Sequence, residues 1–153
     1  MKNVTLMAVA SLALATGAGK AQEKKLTHAQ IPAAAAATLD RETKGSTVKG
    51  FSTEKDKGKT LYEAATVVAG HTRDISVGAD GTLVEVEEEI AMTSLPQQVQ
   101  DALTVKAKGA EITKVETLTK KTGLVAYEAA TLKNGKKGEI QVGPEGETLL
   151  REE

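Results

Sequence analysis

Apolar positions in this chain switch period after Gly45 and again, in the same way, after Gly109. Before the second glycine, Leu95, Val99 and Leu103 stand four apart with Ala102 beside them, the spacing of one buried helix face. The earlier counterpart, Ala33 to Ala37 followed by Leu39, is built from strong helix formers. Each run opens behind Pro32 or Pro96, where a missing N–H costs nothing. Each closes at Lys44-Gly45 or Lys108-Gly109, a cation in the last turn followed by a residue suited to a left-handed cap. Beyond the glycines come strand patterns. Val48 with Phe51, and Ile112 with Val115, mark a first strand, and their three-residue spacing predicts a bulge. Turns follow at Lys57-Gly58-Lys59 and at Lys121-Thr122-Gly123, the second one residue longer, an insertion expected at the hairpin tip. Second strands are expected over 60–68 and 125–133, ending at Ala69-Gly70 and Asn134-Gly135, hairpin signals. Third strands alternate: Ile75 and Val77 against Asp74 and Ser76, Ile140 and Val142 against Glu139 and Gln141. Ala79-Asp80-Gly81 and Pro144-Glu145-Gly146 then turn into expected fourth strands over 82–88 and 147–151.

The two halves are alike in residues as well as in pattern. Tyr62-Glu63-Ala64-Ala65-Thr66 returns unchanged as Tyr127-Glu128-Ala129-Ala130-Thr131, and 12 of the 27 positions from Tyr62 to Glu88 are identical in the second copy. A repeated period defines the architecture before any other feature. The expected fold class is α+β: two tandem repeats, 31–89 and 95–153, each one helix followed by a four-stranded antiparallel meander. Each copy has about 60 residues, a size that is marginal alone. With no Trp, one Phe and two Tyr, the copies are expected to pack as one unit with both helices behind a curved sheet. The paired alanines of the pentapeptide suggest close packing against the unit's own helix.

Met1-Lys2 and the apolar run from Val4 to Ala18, with small residues at Gly19 and Ala21, form the three-part pattern of a secretory signal peptide. Cleavage is expected after Ala21, with Thr16-Gly17-Ala18 as the alternative site, and 22–30 reads as a polar, flexible leader. Removal of Lys2 and Lys20 leaves 18 Lys and Arg against 21 Asp and Glu, a net charge of −3. That balance gives no reason to expect nucleic acid. Without cysteine there is no disulfide framework, thiolate metal site, Cys nucleophile or lipoprotein anchor.

Candidate chemistry is sparse. His28 and His71 are the only histidines, and Lys136 replaces His71 in the second copy, so a Ser-His-Asp arrangement has little support. Glu85, Glu87, Glu88 and Glu89 form the densest charge run, with Glu85, Glu87 and Glu89 on one strand face. They lack the wrapping that Ca²⁺ takes, and a solvated face that discourages edge pairing accounts for them. The first copy carries 7 basic and 11 acidic residues over 31–89, the second 9 and 9 over 95–153. Glu63 and Glu128 invite a paired-carboxylate reading, but their exact repetition with Tyr62 and Tyr127 fits a shared structural role. Asp80-Gly81-Thr82 is read as a turn. No catalytic, cofactor-binding or metal-binding residue is assigned.

Taken together, Ile31-Pro32 and Leu95-Pro96, the helix-ending Gly45 and Gly109, Tyr62-Glu63 and Tyr127-Glu128, and Asp80-Gly81 with Gly146 resemble the PepSY-like family of bacterial exported proteins. That family is similar in architecture to the repeats of the β-lactamase inhibitor proteins. The resemblance covers both copies, with Glu145 departing where the first copy has Asp80. It implies a periplasmic or secreted non-enzymatic module that binds, inhibits or restrains another protein, such as a peptidase. The expected partner is a protein, with no nucleic acid, no membrane insertion after signal cleavage and no cofactor. The expected contact is the open sheet face or the hairpin tips at 55–59 and 119–123. A small-ligand or metal-binding envelope protein is the alternative, and an envelope enzyme a more distant one.

Overall fold

The computed structural model describes residues 21–151. The expected signal segment, 1–21, lies outside the described residues except for Ala21, as do Glu152 and Glu153. Among the described residues eight strands follow one another: β1 Ala21–Leu26, β2 Thr47–Asp56, β3 Lys59–Val68, β4 His71–Gly78, β5 Leu83–Glu89, β6 Glu111–Lys120, β7 Gly123–Lys133 and β8 Lys136–Val142. They pair in that order as one antiparallel sheet. Two short helices, α1 Ala33–Glu42 and α2 Gln97–Ala107, interrupt the succession. The protein is mostly β, which corrects the expected α+β pair of helix-plus-four-strand units.

The reason lies in β5. It pairs with β4 on one side and with β6 on the other, so it belongs to both halves and no boundary falls after it. It stands to β6 as β1 stands to β2. Within residues 22–30, read from sequence as a leader, the end of β1 is laddered to β2, and a 3-10 turn, His28–Gln30, leads into α1. β1 gives no apolar signal in sequence because backbone pairing to β2 supplies its contacts. The expected strand at 147–151 does not form. Gly143 N–H reaches Glu147 O at 2.9 Å, as Gly78 N–H reaches Thr82 O at 2.8 Å, but β5 is then held from two sides. Among the described residues, no strand pairs with 147–151.

Backbone chemistry at the turns matches the sequence signals. Asn134 and Gly135 have φ of 51° and 74°, the double left-handed geometry of a two-residue hairpin whose twist suits the strands. Ala69 and Gly70 repeat it at 50° and 91°. An alanine there carries a Cβ penalty that asparagine tolerates better. Ala69→Asn is expected to raise stability by up to about 1 kcal/mol, read as a higher denaturant midpoint at unchanged slope. Bulges sit where the three-residue spacing placed them, between Val48 and Gly50 and between Ile112 and Lys114. The extra residue of the second half is not at the hairpin tip. Lys120 pairs with Gly123 across two residues, as Asp56 pairs with Lys59, and a register shift between Leu118 and Thr119 absorbs the insertion instead. Keeping the two-residue turn preserves its match to strand twist, and a bulge takes up the remainder.

Cross-strand partners lie on the same side of a sheet. Ala64, Ile75 and Val86 are in register, and so are Val115, Ala129 and Ile140. The row Glu88–Thr117–Tyr127 carries the same side across the β5–β6 junction. Both helices pack on this side. Ala35 and Leu39 of α1 meet Ala64, Ile75 and Val77, whereas Val99 and Leu103 of α2 meet Val115, Tyr127, Ala129 and Val142. The first alanine of each pentapeptide, Ala64 or Ala129, is wholly buried beneath a helix. The second, Ala65 or Ala130, lies on the opposite face, so the packing reading holds for one alanine of each pair.

Candidate interaction surface

With α1 and α2 on one side, no helix among the described residues covers the other face of the sheet. Its composition follows from strand alternation. Ser52, Glu63, Ser76, Glu85 and Lys120 form one row across it. Ala65, Asp74, Glu87, Leu118 and Ala126 form the next, and Glu89, Glu116, Glu128 and Gln141 a third. Glu85, Glu87 and Glu89 thus share a face as the sequence indicated. Asp74 and Glu116 were missed as their neighbours, because only the pairing of β4 and β6 with β5 brings them there. Leu61, Leu118 and Ala126, each at most 5% exposed, belong to neither helix-side cluster and give this face an apolar floor.

At the centre, carboxylate oxygens of Asp74, Glu87 and Glu116 lie within 4.8 Å of one another. Lys114 Nζ is 2.7 Å from Glu116 Oε1, and Lys120 Nζ is 3.5 Å from Glu85 Oε2. Glu89 accepts from Thr72 N–H at 2.9 Å and from its hydroxyl at 3.1 Å. Gln141 Nε2 donates to Glu128 Oε2 at 2.7 Å. Burial, then the charges of Glu128, Glu116, Glu85 and Glu63, push the Glu87 carboxyl well above the usual carboxylate range. The Thr72 N–H bond holds Glu89 below it, against a smaller opposing effect of burial. Burial works to lower the Lys114 ammonium, but the hydrogen bond and charge of Glu116, aided by Asp74 and Glu87, prevail and raise it.

The remaining candidates fall elsewhere. Tyr127 is built into the helix-side core and Tyr62 packs beside the other, while Glu63 and Glu128 lie on the open face in different rows. His28 Nε2 lies 2.8 Å from Asp40 Oδ1 and its ring meets Phe51 edge-on, on the helix side. His71 is an exposed residue beside the Ala69-Gly70 turn. Asp80 accepts from Thr82 N–H at 2.9 Å, which holds its carboxyl below the ordinary range and closes the turn read from sequence. The tips at Lys57-Gly58 and Lys121-Thr122 are exposed two-residue turns. Among the described residues no helix is long and apolar enough to cross a membrane.

Comparison with known proteins places the architecture. The fold is shared with solved Bacteroides proteins. A DUF2874 family protein from Bacteroides ovatus ATCC 8483 superposes with a TM-score of 0.60 at 16% identity, over 80% of this chain and 86% of its own. A protein from Bacteroides eggerthii DSM 20697, provisionally assigned to the periplasm, gives 0.63 at 18% identity over 79% and 86%. A BLIP-like protein from Bacteroides fragilis NCTC 9343 gives 0.54 at 20% identity over 78% and 83%. No family model matches the chain, the PepSY-like one included, and no curated protein matches it by sequence.

Proposed function

We propose that this chain is an exported, non-enzymatic module that binds another protein in the bacterial periplasm or outside the cell, using the open face of its sheet. The observation that carries this reading is the uncovered face itself, with ionisable side chains gathered over an apolar floor while both helices occupy the other side. Charged groups over an apolar floor can steer and select a partner of complementary charge. The signal pattern at 1–21 and the fold shared with a BLIP-like protein support the location and the binding role. Occupation of a partner's surface by the sheet would restrain or inhibit it sterically.

The test compares affinity purification from an envelope extract with three baits: wild type, Ala130→Arg on the open face and Lys121→Glu at a tip. Wild type and the tip variant are expected to retain one stoichiometric partner, and Ala130→Arg to lose it with its melting transition intact. Retention by Ala130→Arg, or no partner under any growth condition, would contradict the reading.

A further inference from the structure

Acidic side chains crowd the centre of the open face, where Asp74, Glu87 and Glu116 converge. Lys114 engages Glu116 and Lys120 engages Glu85. Glu87, between them, has no hydrogen bond or ion pair with a donor among the described residues. Asp74 faces it from β4, Glu116 from β6, and Glu85 and Glu89 flank it on β5. Glu63 on β3 and Glu128 on β7 add negative charge from farther out, and Lys114 adds positive charge from β6. The nearly unexposed Leu118 opposite Glu87 keeps the local dielectric low, which strengthens any pairing made there.

Resting on the protein-binding reading above, we propose that the centre of this face receives a lysine or arginine side chain of the partner, seated between Asp74, Glu87 and Glu116. Charge complementarity selects this occupant. The fold already contains one instance of the contact: Lys114 sets its ammonium on Glu116, and the acids around it favour the charged form. A divalent cation fits less well, because the three carboxylates rise from adjacent strands on one side only, whereas Ca²⁺ takes six to eight oxygens around it. Seating a cation stabilises ionised Glu87, so at a pH where the free protein holds the Glu87 proton, above the ordinary carboxylate range, binding releases it.

Calorimetry with an octalysine peptide tests this at low salt, in two buffers of different ionisation enthalpy, with octaglutamate and Ca²⁺ titrated separately. Octalysine is expected to bind with proton release and octaglutamate not to bind. Glu87→Gln should abolish the released proton and weaken affinity about tenfold, and Asp74→Asn should weaken it similarly. A control that removes two charges elsewhere, Glu42→Gln with Asp101→Asn, should keep the proton release and stay within about twofold. Absence of octalysine binding, equal binding by Glu87→Gln, or Ca²⁺ saturating the cluster in its place would each overturn the proposal. These failures leave the broader reading standing if Ala130→Arg still loses the captured partner; retention of that partner would sink the broader reading instead.

Discussion

Gly81→Ala is expected to destabilise the protein by about 3 kcal/mol, combining a left-handed alanine with an overpacked contact, and to lower its melting temperature by about 10 °C. Gly81 has φ of +82°, and a Cβ there would sit 2.6 Å from the backbone oxygen of Ala34 and 3.2 Å from Thr38 Oγ1. That oxygen belongs to α1 and cannot move without shifting the helix from its core. The same site carries the Thr38 hydroxyl bond to Gly81 O at 2.8 Å, so the turn after β4 is pinned to the helix from both directions. Gly70→Ala is the internal control. Its φ is +91°, but nothing lies within 4 Å of the added Cβ, so only the conformational cost of about 1–2 kcal/mol applies. Equal losses at the two positions, measured by chemical denaturation, would show that the turn is not held against α1. Gly146 repeats the contact, with its Cβ site 2.7 Å from Gln98 O on α2.

The second large effect belongs to Glu87. Its carboxyl is raised above the ordinary value of 4.5, so between that value and its folded one the native state holds a proton that the unfolded chain has lost. Stability falls as pH rises through that window. Glu87→Gln removes the charge while keeping the shape. The variant should match wild type in mild acid and exceed it at higher pH, with a melting temperature about 3 °C or more above wild type for each 1 kcal/mol gained. Glu89 and Asp80 have the opposite sign: their lowered values contribute stability that is lost as pH falls through them. Subtracting the two pH profiles isolates Glu87. A constant difference at every pH would mean that Glu87 ionises as an ordinary surface acid.

Much of this structure was legible in local chemistry. Asn134-Gly135 and Ala69-Gly70 announced their hairpins, Leu95-Val99-Leu103 its buried face, and the spacing of Val48 and Phe51 a bulge. What local chemistry could not express was pairing between distant strands. Lys24 and Lys25 look like a solvated leader until β2 offers them a ladder, and Glu147 to Leu150 look like a strand although none of the described strands pairs with them. The surface followed the same division. Alternation put Glu85, Glu87 and Glu89 on one face, but the register of β4 and β6 brought Asp74 and Glu116 beside Glu87 and turned a charge run into a cluster. The identical pentapeptides are likewise split by alternation. Tyr62, Ala64 and their counterparts serve the helix-side cores, and Glu63, Ala65 and theirs the open face.

Photocrosslinking in living cells tests most directly whether the open face is the working surface. The reporter is placed singly at Ala65 on that face, at Val105, 77% exposed on α2, and at Lys121 on a hairpin tip. The open-face assignment predicts a discrete protein adduct from Ala65, lost on adding Glu87→Gln and Asp74→Asn, and none from the other two sites. A discrete adduct from Val105 or Lys121 with none from Ala65 would contradict it.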